Sequence, residues 1–169
     1  MRVELAIIAA LALGLAGCGR GGAGGEKAAR DAAFFMSSNA RTEGVASLPS
    51  GVQYKVLKSG PADGPRPDSN DLVSVLYEGA LTNGEVFDSA FERGQPYVTP
   101  LDQVVPGWTE ALQLMRPGDE WLIYIPPELG YGPEGRPPTI PGNSVLVFRV
   151  ALLGVAEEPG GGRGPVGRG

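Results

Sequence analysis

The sequence predicts an α+β domain in which one short α-helix covers one face of an antiparallel β-sheet. Between residues 46 and 155 most segments alternate apolar and polar side chains, the period of half-buried strands. Only one stretch there, Gly107–Met115, repeats apolar residues at helical spacing. Asn83-Gly84 joins two strand-like runs as a hairpin turn. A sheet and a helix with one apolar side each must bury those sides against one another.

The elements follow in order. Residues 19–25 are a glycine-rich tether. Glu26 to Glu43, containing AARDAAFFMSSNAR, reads as a short N-terminal helix, because alanine favours helix and Phe34 and Phe35 offer apolar rings for docking. GVQYKVL (51–57) is a strand with Val52, Tyr54 and Val56 on one side and Gln53, Lys55 and Leu57 on the other. SGPADGPRPDSN (59–70) is a Pro/Gly/Asp loop. DLVSVLYEGAL (71–81) is a strand that presents Val73, Val75 and Tyr77 together. Strand character returns at Val86-Phe87 and again at Tyr97–Thr99. In GWTEALQLM (107–115), Trp108, Ala111, Leu112 and Met115 share one helix face, and Pro117-Gly118 stops it. EWLIYIP (120–126) is a strand. Residues 126–143 form a loop too long to be a mere connection. SVLVFRVALLGV (144–155) is the last strand, and the Gly-rich tail, 156–169, is expected to be disordered.

Composition narrows the function. Of 169 residues 42% are hydrophobic, ordinary for a folded domain. A net charge of -5 disfavours a nucleic-acid surface. There is no histidine and a single cysteine, Cys18, so no zinc or haem site and no disulfide framework within the chain is expected. No cofactor is expected either.

The first residues read as a processing signal. Arg2 supplies a charged start, and Leu5–Leu15 is apolar over the length of a secretory core, too short to span a bilayer stably. Leu15-Ala16-Gly17-Cys18 looks like a bacterial lipobox, in which the cysteine becomes the lipidated first residue. Residues 1–17 are then a signal peptide, 18–45 a lipidated tether with the short helix, and 46–155 the working domain. Gly19 after the cysteine, in place of an aspartate, points to the outer membrane, facing the periplasm.

One residue raises the question of chemistry. Asp88 follows Phe87 in FDSAFERGQPY, and a carboxylate in apolar surroundings is costly unless hydrogen-bonded or paired. Without histidine, whatever Asp88 does is done without the usual proton shuttle. It could instead cap the turn after Phe87.

Three separated stretches, VLYEGALTNGEVFDSAFERGQPY, VVPGWTEALQLMRPGDEWLIYIPPELGYG and IPGNSVLVFRVALL, resemble the FK506-binding-protein family of peptidyl-prolyl isomerases. EGVASLPSGVQYKVLKSG upstream looks like the lead-in of its bacterial Mip-like lipoprotein branch. The resemblance covers nearly all of residues 43–154. It implies a sheet wrapped around the short helix, with an apolar cup at one end. Matching positions imply a substrate site of Tyr77, Phe87, Asp88, Arg93, Tyr97, Val104, Val105, Trp108, Tyr131, Ile140 and Phe148. Of these, Asp88, Tyr77, Phe87, Tyr131 and Phe148 are implied to be catalytic. Trp108 is the implied floor under a proline ring, and Tyr77, Phe87 and Phe148 the walls. The Val105 amide and Tyr131 hydroxyl are implied to hold peptide carbonyls, with Asp88 bonded to Tyr77 and paired with Arg93. Leu129-Gly130-Tyr131-Gly132 replaces the commoner Leu-Ala-Tyr-Gly, and Gly142 stands where bacterial members usually have proline. Arg136 and Thr139 lie on a loop where members vary.

The implied partners are proline-containing polypeptides, FK506- or rapamycin-like macrolides, and a membrane through the lipid anchor. The long dimerisation helix of the Mip-like branch has no counterpart, so a monomer is expected. Two rivals remain at this level. A non-catalytic, membrane-tethered chaperone or binding module would use the same cup. Asp88-Ser89-Ala90 also fits the short signature of aspartic proteases, which use two carboxylates; the sequence holds no second copy, so that reading requires the chain to dimerise.

Overall fold

The computed structural model describes residues 22–156. The signal peptide, the lipobox with Cys18, and residues 157–169 of the tail lie outside the described residues. The chain runs α1 (Gly22–Asn39), β1 (Val45–Ser47), β2 (Gln53–Lys58), β3 (Leu72–Leu81), β4 (Val86–Ser89), α2 (Ala90–Arg93), β5 (Tyr97–Pro100), α3 (Pro106–Leu112), β6 (Glu120–Ile125) and β7 (Leu146–Ala156). All strand pairings are antiparallel, in the order β1-β2-β6-β7-β3-β4, with β5 also on β3.

The far edge of β3 is shared by two short strands. β5 pairs with Leu72–Val75, and β4 with Glu78–Ala80. Tyr77 falls at the changeover, and the chain between β4 and β5 makes α2. That helix has only four residues, so its ends decide whether it forms. Ser89 Oγ accepts from the Glu92 N–H at 3.1 Å, and Gly94 closes it in the left-handed region at φ 64°. The cap is therefore Ser89, which leaves Asp88 free for another partner.

The core lies between the sheet and α3. Val73, Val75 and Tyr77 of β3, Trp121, Ile123 and Ile125 of β6, and Leu146, Phe148, Val150 and Leu152 of β7 are all buried. They meet Trp108, Ala111 and Leu112 of α3, together with Met115 just beyond its end. Pro106 starts α3, a position that needs no N–H. Gly107 lets the helix approach β6: a Cβ there would sit 2.5 Å from Ile125 Cγ2.

The fold departs from the sequence reading in four places. α1 begins before residue 26 and ends at Asn39, where turn bonds from Ala40, Arg41 and Thr42 and a positive φ of 81° at Gly44 reverse the chain into β1. Its glycine-rich start is helical because docking outweighs propensity, with the Asn143 side chain donating to the Gly25 carbonyl at 3.1 Å. Of the two phenylalanines only Phe35 docks, 6.2 Å from the Tyr124 ring; Phe34 is 72% exposed. β1 and α2 are too short to leave a period in the sequence.

The last departure concerns β2. Gln53, on the supposed polar side, is buried because α1 covers that side. Its amide donates to the Met36 carbonyl at 2.8 Å and accepts from Asn39 Nδ2 at 2.9 Å. Val56, on the supposed buried side, is 43% exposed, since the ladder to β6 shifts between Val56 and Lys58.

Candidate active site

One end of the sheet opens into a cavity of about 800 Å³. All eleven residues expected at a substrate site line it, together with Gln103, Arg136, Pro137 and Thr139. They come from five separate pieces of chain: β3, β4 with α2 and β5, the entry to α3, the 131–140 loop, and β7.

The aromatic residues interlock edge to face. Trp108 lies 5.2 Å from Tyr77 and 5.2 Å from Phe148, near perpendicular to both. Phe148 also meets Phe87 at 5.6 Å and Tyr77 at 6.3 Å, and Tyr97 meets Tyr77 at 5.8 Å. Edge-to-face pairing favours this arrangement and holds each ring by its neighbours. Trp108 and Phe148 are buried beneath the opening, Phe87 is half-buried, and Tyr97 is 42% exposed at the rim.

A glycine explains how two of these rings fit. Gly79 on β3 pairs with Phe148 on one side and Asp88 on the other. A Cβ at Gly79 would stand 2.6 Å from the Phe87 ring and 2.7 Å from Phe148 Cε1. Both walls therefore pack over a bare backbone position. An isolated glycine within a strand pattern was the available signal, since it marks close approach.

Asp88 sits on the rim, between the wall and the solvent. The Tyr77 hydroxyl donates to Asp88 Oδ2 and Arg93 Nη1 donates to Oδ1. Arg93 Nη2 also reaches the Tyr77 hydroxyl oxygen at 3.4 Å. Burial pushes the Asp88 carboxyl up, but the hydrogen bonds from Tyr77 and Arg93 and the guanidinium charge outweigh it and hold the group below the usual carboxylate range. Burial pushes the Tyr77 phenol up, and the bond to the Asp88 carboxylate adds to this against the opposing Arg93. Asp88 is the only carboxylate lining the cavity among the described residues, so the cavity lacks the paired acids an aspartic protease needs.

The opposite rim is the 131–140 loop. The Gly135 N–H donates to the Tyr131 carbonyl, and Arg136 and Ile140 exchange two backbone bonds of 2.7 and 3.0 Å. The Asn143 N–H donates to the Gly132 carbonyl at 2.8 Å. Gly142 packs against the Pro133 carbonyl, where a Cβ would come within 1.9 Å, so glycine at this position suits a close approach. Ile140 is buried in the wall, while the Tyr131 hydroxyl faces Arg136 Nη1 at 3.5 Å.

Comparison with known proteins fits this architecture. Residues 64–153 match the family model for FKBP-type peptidyl-prolyl cis-trans isomerase, and residues 21–56 match that of the domain amino-terminal to it. The chain is 48% identical over 124 residues to the peptidyl-prolyl cis-trans isomerase Mip of Coxiella burnetii, covering 73% of this chain and 53% of that protein. It is 43% identical over 123 residues to the outer membrane protein MIP of Legionella longbeachae, covering 73% and 52%. The chain thus spans about half the length of the curated relatives it matches. The crystal structure of a peptidyl-prolyl cis-trans isomerase from Pseudomonas syringae superposes with a TM-score of 0.73 at 37% identity, over 78% of this chain and 96% of that one. With its family model matched over more than half its length and a solved relative covered almost end to end, the chain belongs to the FKBP-type peptidyl-prolyl cis-trans isomerase family.

Proposed function

We propose that the chain catalyses cis–trans isomerisation of Xaa-Pro bonds, assisting the folding of periplasmic or outer-membrane proteins. The observation that carries this is the aromatic cup of Trp108, Tyr77, Phe87 and Phe148, bordered by a single ionised carboxylate that is fully engaged.

The chemistry suits such a cup. Rotation of an amide crosses a barrier of about 18–20 kcal/mol and takes tens to hundreds of seconds uncatalysed at an Xaa-Pro bond. No bond is made or broken and no proton moves; the barrier is loss of C–N resonance. The planar amide is more polar than the twisted one, so a dry aromatic site disfavours the ground state relative to the twisted state. Fixed donors add stabilisation of the twisted geometry, and each tenfold gain in rate needs about 1.4 kcal/mol of it. In this reading Trp108 supports the proline ring, and Tyr77, Phe87 and Phe148 exclude water. The Val105 N–H, at the residue that caps α3, and the Tyr131 hydroxyl hold substrate carbonyls. Asp88, held by Tyr77 and Arg93, fixes the wall and directs a negative potential at the substrate amide. Tyr97, Val104 and Ile140 complete the apolar contact, and the same cup would accept FK506- or rapamycin-like macrolides.

The proposal extends to the cell. Lipidation of Cys18 would place the domain at the outer membrane, facing the periplasm, as a monomer. The name of the Legionella relative, an outer membrane protein, is consistent with that location. A protease-free isomerisation assay on a short Xaa-Pro peptide tests the activity: acceleration blocked by a macrolide supports it, and the uncatalysed rate in the presence of the folded protein rejects it.

A further inference from the structure

The cavity carries three charged side chains, and two of them cancel. Asp88 and Arg93 form an ion pair. The third, Arg136, has no ion pair among the described residues; its guanidinium bonds only the Tyr131 hydroxyl, at 3.5 Å, and lies 5.9 Å from that ring. The rim therefore bears one uncompensated positive charge, on a chain whose net charge is -5. Arg136 is exposed but anchored at its backbone by the two bonds to Ile140, whose side chain forms part of the wall. Arg136 thus lines the same cavity as Trp108, the residue expected to support a proline ring.

We propose that Arg136 is a specificity-determining residue that favours Xaa-Pro segments with a carboxylate side chain next to the proline. The inference rests on the isomerase reading of the same cavity. Arginine presents planar paired donors that match a carboxylate, and the neutral Tyr131 hydroxyl does not compete with an anion for it. Local attraction works against the acidic surface of the chain as a whole, so selection would act on bound segments rather than on long-range capture. A rim-exposed pair contributes little, which sets the scale at roughly two- to fivefold in kcat/KM.

The test uses the full chain and four blocked peptides, with amidated ends so that the only carboxylate is a side chain. Two peptides differ only in Glu or Gln before the proline, and two only in Glu or Gln after it. Isomerisation is followed by magnetisation-exchange NMR for the wild type, Arg136→Gln and Arg136→Lys. The expected result is a Glu preference of roughly two- to fivefold in at least one pair, lost in Arg136→Gln, retained in part by Arg136→Lys, and diminished near 1 M salt, where the Debye length is about 3 Å. Equal rates for Glu and Gln in the wild type overturn the inference while leaving the isomerase reading intact. So does an equal fall for all four peptides in Arg136→Gln, which would make the residue only a support for Tyr131. No acceleration of any peptide by the wild type overturns both.

Discussion

Tyr77 donates its hydroxyl proton to the carboxylate of Asp88, across the changeover where the edge of β3 passes from β5 to β4. Arg93, on the short helix between those strands, holds the other carboxylate oxygen. A buried strand residue, an edge strand and a one-turn helix are thereby tied at one wall of the cavity. Replacing Asp88 with Ala leaves the Tyr77 hydroxyl without its acceptor, a loss of about 1 kcal/mol in stability. The expected effect on kcat/KM is larger, roughly tenfold or about 1.4 kcal/mol in the transition state. Peptide assay with circular dichroism and thermal unfolding of the same sample checks this; an unchanged rate would remove Asp88 from the reaction.

The same contacts set the response to pH. Asp88 titrates below its unfolded value, so its contribution to stability is present above about pH 4 and is lost as pH falls through the folded value. Tyr77 titrates above its unfolded value, so its contribution is complete below about pH 10 and is lost only as pH rises through the folded value. Neither group changes charge near neutrality, and no histidine does. The isomerase rate is therefore expected to be flat from about pH 6 to pH 8. A bell-shaped profile in the folded protein would mean that proton transfer takes part in turnover.

Gly79 gives a test of wall geometry without replacing any side chain that lines the cavity. Gly79→Ala places a methyl group against Phe87 and Phe148, at distances neither ring tolerates in place. Overpacking of this kind costs about 1–3 kcal/mol in stability. Displaced walls should also lower kcat/KM roughly tenfold, or about 1.4 kcal/mol. Thermal unfolding and the peptide assay on one preparation measure both; no change in either would show that the walls move aside freely.

Much of this was legible beforehand, for physical reasons that differ by element. β3 and α3 carry long, regular periods, so the burial of Val73, Val75, Tyr77, Trp108 and Leu112 followed from spacing. The cavity was legible only through the resemblance, because Trp108 and Phe148 alone read as ordinary core residues. What stayed hidden was short or tertiary. β1 and α2 have too few residues to show a period. Gln53 looked solvent-facing because nothing in β2 announces that α1 will cover it. Gln103 and Pro137 reach the cavity through the turn before α3 and the 131–140 loop, where side-chain direction follows backbone geometry rather than alternation.

The anchor proposal rests on residues outside the described part of the chain and is tested in cells. Cys18→Ser should abolish lipid attachment, leaving the protein unprocessed or released from the membrane. Metabolic labelling with a fatty-acid analogue, followed by membrane fractionation, provides the readout. A Cys18→Ser protein that is still labelled and still fractionates with the outer membrane would contradict the proposal.

The most direct test of the central claim compares the full chain with its Asp88→Ala, Phe148→Ala double variant in protease-free isomerisation of an Xaa-Pro peptide. Phe148→Ala alone opens the cup and costs about 3–5 kcal/mol in stability, so folding of the variant is checked at the assay temperature. The account predicts strong acceleration by the wild type and a rate close to uncatalysed for the folded variant. Full activity in the folded double variant would place the chemistry elsewhere, and no acceleration by the wild type would contradict the isomerase assignment itself.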